Sequence, residues 1–156
     1  MKIRFFLLVI FLFALGVFVP HTTAFARLGE TSSLSIKSSG YKKKFVAETS
    51  SSDKYTMTTV SENGLTVSEY LTNSGVVFAV KWQGEYQPDL QDIFGKYYSE
   101  YESEKEKNKN KSRGSRSHAV NTENLVVNIS GHMRSMRGFA YAPSLIPRGV
   151  DIEQLK

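Results

Sequence analysis

The sequence predicts an α+β domain: an antiparallel sheet of about five or six strands with one main helix packed on one face. Three observations carry this reading. Asn63-Gly64 separates two stretches rich in Thr, Val and Tyr, the pattern of a hairpin closed by a tight turn. Val76–Trp82 is the most apolar run after the N-terminal segment, as a central strand requires. From Pro88 the apolar period lengthens to that of a helix, through Leu90, Ile93, Phe94, Tyr97 and Tyr101.

The elements follow in chain order. Lys2 and Arg4 precede an apolar run from Phe5 to Val19, Pro20 ends it, and Ala24-Phe25-Ala26 offers small residues at Ala24 and Ala26. This is the three-part logic of a secretory signal peptide over residues 1–26, cleaved after Ala26. An uncleaved anchor is the rival, but a spanning helix needs about 20 apolar residues, more than this run supplies. Removing Lys2 and Arg4 lowers the net charge from +5 to +3 and leaves about 130 residues, one domain's worth.

Residues 27–40, rich in Ser, Thr and Gly, read as a flexible lead-in to a single domain over 41–156. Tyr41–Glu48 reads as a first strand and Thr49–Asp53 as a polar loop. Three lysines, Lys42 to Lys44, suit an edge strand, where charge discourages pairing with another chain. The turn at Asn63-Gly64 pairs Val60 with Val67 and Thr56 with Leu71 on one face, and Met57 with Tyr70 and Thr59 with Ser68 on the other. Asn73-Ser74-Gly75 makes the next turn. Val76, Phe78, Val80 and Trp82 are then expected to face the same way as Val67 and Leu71.

Pro88 fits the first helical position, and Asp89 and Asp92 complement the helix dipole. The helix stripe belongs on the core face of the sheet. Residues 103–117 hold Glu, Lys, Asn, Ser and Arg with no apolar residue and read as a disordered basic insert. Leu125–Ser130 and Met133–Tyr141 return to strand pattern, the second broken at Gly138. Ala142–Gly149 reads as a loop and Val150–Leu155 as a short terminal helix.

Two blocks carry a family resemblance. One is Ser74-Gly75-Val76-Val77-Phe78-Ala79-Val80-Lys81-Trp82-Gln83-Gly84 with Pro88-Asp89-Leu90. The other is Ser130-Gly131-His132-Met133-Arg134 with Gly138, Tyr141, Pro143, Leu145, Pro147 and Gly149-Val150. With Leu28-Gly29, they resemble a bacterial family of exported proteins catalogued as domain of unknown function 2844. The chain departs from it in the insert and at Glu30, where a second glycine is expected. The resemblance implies export and one domain, and no activity.

Composition narrows the chemistry. With no cysteine, thiol catalysis, disulfides and lipidation of an N-terminal cysteine are excluded. Positive charge concentrates between Lys105 and Arg116, so the basic pI reports a local segment. No nucleic-acid partner is expected, because no aromatic residues interleave those charges. No metal is expected: of the two histidines beyond residue 26, His118 falls at the end of the insert, and a zinc site needs three or four ligands. No cofactor is expected.

Ser130, His132 and Arg134 are the catalytic candidates. A histidine titrates near neutral pH and Arg134 with Arg137 would hold a carboxylate or phosphate. Against that stands a plain turn or bulge requiring Gly131. Trp82, Tyr86, His132, Arg134 and Arg137 are the binding candidates, with Trp82 and Tyr86 near a strand end and core packing as the alternative for the aromatics. The expected function is a non-enzymatic periplasmic accessory or binding protein whose partner is an envelope protein or glycan, with no permanent membrane span after cleavage. A small envelope hydrolase using His132 and Arg134, and a structural surface protein, are the alternatives. Localisation is expected beyond the inner membrane, periplasmic first and secreted second.

Overall fold

The computed structural model describes residues 28–31, 46–108 and 117–156. The expected signal peptide, residues 32–45 and the insert between 109 and 116 lie outside the described residues. Among the described residues seven strands form one sheet: β1 (Val46–Ser51), β2 (Thr56–Glu62), β3 (Leu65–Leu71), β4 (Val77–Gly84), β5 (His118–Asn121), β6 (Val126–His132) and β7 (Ser135–Tyr141). Their order is β1-β2-β3-β4-β7-β6-β5, and every neighbouring pair is antiparallel. Two meanders, β1–β4 and β5–β7, therefore meet where β4 pairs with β7. The strand count exceeds the expected five or six because His118–Asn121 adds β5, whereas strand at Thr49–Ser51, in the expected loop, only extends β1.

The hairpin register is the expected one: Val60 opposite Val67, Thr56 opposite Leu71, Met57 opposite Tyr70, Thr59 opposite Ser68. Asn63 and Gly64 both adopt positive φ, 51° and 80°, as a two-residue I′ turn demands. The next pairing departs from strict alternation. Tyr70 opposes Ala79 but Leu71 opposes Val77, so Phe78 is an extra residue at a bulge. The bulge exchanges two positions, placing Val77 on the expected core face and taking Phe78 off it. Val77, Val80 and Trp82 enter one core cluster, whereas Phe78 and Ala79 enter another on the opposite side.

A helical arm covers the first side. Asp89 is its N-cap, accepting from the backbone N–H groups of Gln91 (2.8 Å) and Asp92 (3.4 Å), which satisfies donors that the first turn cannot. Helix α1 (Leu90–Phe94) ends at Gly95, a 3-10 turn spans Gly95–Tyr97, and α2 runs Tyr98–Asn108. The predicted stripe holds: Leu90, Ile93, Phe94 and Tyr101 are buried, with Tyr97 packed against them. They meet Leu65, Leu71, Val80, Trp82, Val120, Val127, Ile129 and Ala140 of the sheet. Glu69, which alternates with Val67 and Leu71, is fully buried on this side.

Among the described residues, the C-terminal segment covers part of the opposite side. Beyond β7 the chain forms 3-10 turns at Pro143–Leu145 and Ile152–Gln154, the latter in place of the expected terminal helix. Leu145, Ile146, Val150, Ile152 and Leu155 pack on Tyr55, Met57, Tyr70, Phe78, Phe139 and Tyr141. Tyr55 and Tyr70 meet edge to face at 5.8 Å, a favoured aromatic geometry. The Tyr70 hydroxyl donates to the Leu155 carbonyl at 3.3 Å. Burial, and secondarily Tyr55, holds the Tyr70 phenol above its usual pKa.

Two further expectations change. Leu28, expected in a flexible lead-in, is wholly buried in the helix-side core. Gly138, expected to break the last strand, is an interior residue of β7 opposite Trp82.

Candidate binding surface

Among the described residues, nothing covers the helix-free face where the C-terminal segment ends. Side chains on one face of a strand recur at every second residue, so register decides what lies there. Ser61, Thr66, Gln83, Arg137 and Ser130 are successive partners across β2, β3, β4, β7 and β6. Thr59, Ser68, Lys81, Phe139 and Asn128 form the adjoining row. These rows alternate with the apolar residues beneath the helical arm. Polar side chains thus recur in two ranks across the sheet, the second interrupted by the buried Phe139.

A groove of about 550 Å³ occupies part of this face. Met57, Thr66, Ser68, Tyr70, Lys81 and Gln83 line it, with Gly64, Trp82 and Gly84 at its end. The hydroxyls are paired, Thr59 with Ser68 and Ser61 with Thr66, each at 2.8 Å. One pair bond uses one donor, so each pair keeps a further O–H and free lone pairs for a ligand. Lys81 Nζ donates to the Leu155 carbonyl at 3.3 Å, which anchors the chain terminus at the groove's border. Arg137, exposed, stands beside Gln83 in the next strand.

The sequence-predicted residues divide around this groove. Arg137 shares its face, and Ser130 and His132 occupy the same face of β6. Arg134 lies in the two-residue turn after β6 with φ 59°. Tyr86 is 45% exposed in the segment after β4. Trp82 borders the groove, but its indole lies on the other face: it is 1% exposed and tilts against Phe94 at 6.2 Å under the helical arm. The apolar run that made Trp82 look like a strand-end aromatic instead buries it. Thr66, Ser68, Lys81 and Gln83 were not singled out by sequence, because alternate polar positions in a strand read as a solvated face.

The catalytic candidates form no working set. Ser130, His132 and Arg134 are all exposed, and no orienting hydrogen bond reaches His132 among the described residues. A nucleophile needs a base and the base needs an orienter within hydrogen-bond reach. Among the described residues no group of three His, Cys, Asp or Glu side chains is placed to hold a metal ion.

His118 has a different role from the one expected of an insert residue. It lies in β5, and its Nε2 is 2.6 Å from the Tyr101 hydroxyl of α2. Burial, then Glu102 and Tyr98, raises the Tyr101 pKa far above the usual phenol value. Tyr101 therefore keeps its proton and donates it to a neutral His118. Burial and then Lys105 lower the His118 pKa, against a smaller opposing effect of Glu102. This bond fastens the helical arm to the sheet's edge strand.

No curated protein and no solved structure matches the chain at a significant level. Residues 24–155 match the family described as "Protein of unknown function (DUF2844)". The match spans the helical arm, every strand and the polar face, and the chain belongs to this family.

Proposed function

We propose that this is an exported, non-enzymatic binding protein of the cell envelope, periplasmic first and secreted second, that holds a polyhydroxylated, anionic glycan on the open half of its helix-free sheet face. The observation that carries the reading is the groove beside two ranks of hydroxyl, amide and cationic side chains. Strands lie roughly 4.8 Å apart, close to the repeat of an extended pyranose chain, so successive strands would meet successive sugars. Thr66, Ser68 and Gln83 would hydrogen-bond ring hydroxyls. Arg137 and Lys81 would meet carboxylate or phosphate groups, with the bidentate geometry belonging to arginine. The exposed, unoriented His132 favours this over the hydrolase alternative.

Calorimetric titration of the chain beginning at Arg27 with defined anionic and neutral polysaccharides tests the proposal. Gln83→Ala and Arg137→Ala should each weaken binding by about 1 kcal/mol, roughly five-fold. The neutral polymer should bind less tightly than the anionic one, and added salt should narrow the gap. Absence of binding to every polymer, or binding indifferent to both substitutions, would refute it. Capture of a protein partner at this face would replace the glycan.

A further inference from the structure

The residues just past the expected cleavage site are structural. Leu28 is wholly buried, and its N–H donates to the Ile93 carbonyl at 2.8 Å. Gly29 N–H donates to the Val77 carbonyl at 2.8 Å, and Val77 N–H to the Glu30 carbonyl at 3.0 Å. Thr31 bridges Val76. The four-residue stretch Leu28–Thr31 is thus wedged between α1 and the start of β4, with backbone bonds to both.

A protease takes its substrate as an extended chain whose N–H and C=O groups bond to the cleft, as an added strand does. Cleavage after Ala26 makes Leu28 the second residue on the product side. Only Arg27 stands between the cut and the core, and one residue spans at most about 3.6 Å. The backbone at Leu28 therefore serves either the peptidase cleft or Ile93, and not both. A folded protein is cleaved at such a place only through its opened state.

Resting on the export reading, we propose that signal removal and closure of the core compete for Leu28–Thr31. The tethered precursor is cleaved while this stretch is undocked. Docking then completes the helix-side core through Leu28. Processing order is thereby built into the fold, since premature closure withdraws the cleavage site.

The test uses the full chain and signal peptidase reconstituted in lipid vesicles. Precursor allowed to fold before the enzyme is added should be processed several-fold more slowly than precursor added from denaturant. Leu28→Ser should lower the melting temperature of the chain beginning at Arg27 and speed processing of the pre-folded precursor. Ile93→Val touches the same packing from the helix, far from the cleavage motif, and should move both readouts in the same directions by less. Equal processing of folded and unfolded precursor, or lower melting with unchanged processing in both variants, overturns the competition. Mass spectrometry of the exported product separates the two claims. An N-terminus other than Arg27 removes the cleavage reading and this proposal with it, whereas Arg27 with equal rates removes this proposal alone.

Discussion

Gly138→Ala sets two physical effects against each other with opposite signs. Glycine in a strand interior carries excess unfolded-state entropy, so alanine should stabilise the chain by up to about 1 kcal/mol. Sterics oppose this. A Cβ at position 138 would lie 2.0 Å from Trp82 Cζ2 and 2.2 Å from Cε2, whereas carbon contacts settle near 3.5–4.0 Å. The indole would have to retreat by roughly 1.5 Å. It has little room to do so, being 1% exposed and backed by Phe94. Overpacking typically costs about 1–3 kcal/mol, and displacing so large a buried side chain belongs at the upper end. The net loss is about 2 kcal/mol, or roughly 6–10 °C in melting temperature for a domain of this size. Melting followed by circular dichroism in the chain beginning at Arg27 measures it. Trp82→Phe should relieve the clash, so the double variant should lose at least about 1 kcal/mol less than the sum of the single variants. A Gly138→Ala chain that melts within a degree of the parent, or above it, would refute the packing assigned to this position.

Other perturbations have calculable outcomes. Asp89→Ala removes the α1 N-cap and should cost about 1 kcal/mol in denaturant unfolding, with Asp89→Ser recovering most of it. The lowered His118 pKa means that the folded state binds a proton less readily than the unfolded chain. Its contribution is therefore full above about pH 6.5 and is lost as pH falls through the folded-state value. His118→Gln, which retains an acceptor for Tyr101, should flatten that part of the stability profile, and an unchanged acid slope would count against the burial of His118 beside Lys105. His132→Ala should change stability by less than about 0.5 kcal/mol, since the residue is exposed at a hairpin end. A larger loss would place His132 in contacts the structure does not contain.

The elements most legible in the sequence are those fixed by local chemistry. Asn63-Gly64 dictates a turn, and a turn of known length dictates the register of Val60 and Val67. The stripe Leu90, Ile93, Phe94 and Tyr101 needs only helical periodicity. What escaped depends on distant partners. Strand β5 has four residues and one buried side chain, Val120, too little alternation to register beside a charged insert. Leu28 lies among Ser, Thr and Gly, and only α1 and β4 make it a core residue. Gly138 reads as a strand breaker until Trp82 is placed over it. The Phe78 bulge leaves no mark in composition, because either face of that strand is apolar. The polar surface follows the same rule. Arg137 and His132 stood out as unusual residues, but Thr66, Ser68, Lys81 and Gln83 become one surface only through the order β3-β4-β7.

Amide chemical-shift mapping locates glycan binding on the sheet residue by residue. Isotope-labelled chain beginning at Arg27 is titrated with an anionic polysaccharide, and perturbed amides are assigned. Changes should concentrate at Thr66, Ser68, Lys81, Gln83 and Arg137, with the helical arm unchanged. Perturbations confined to the helical arm, or a spectrum unmoved at saturating polymer, would contradict it.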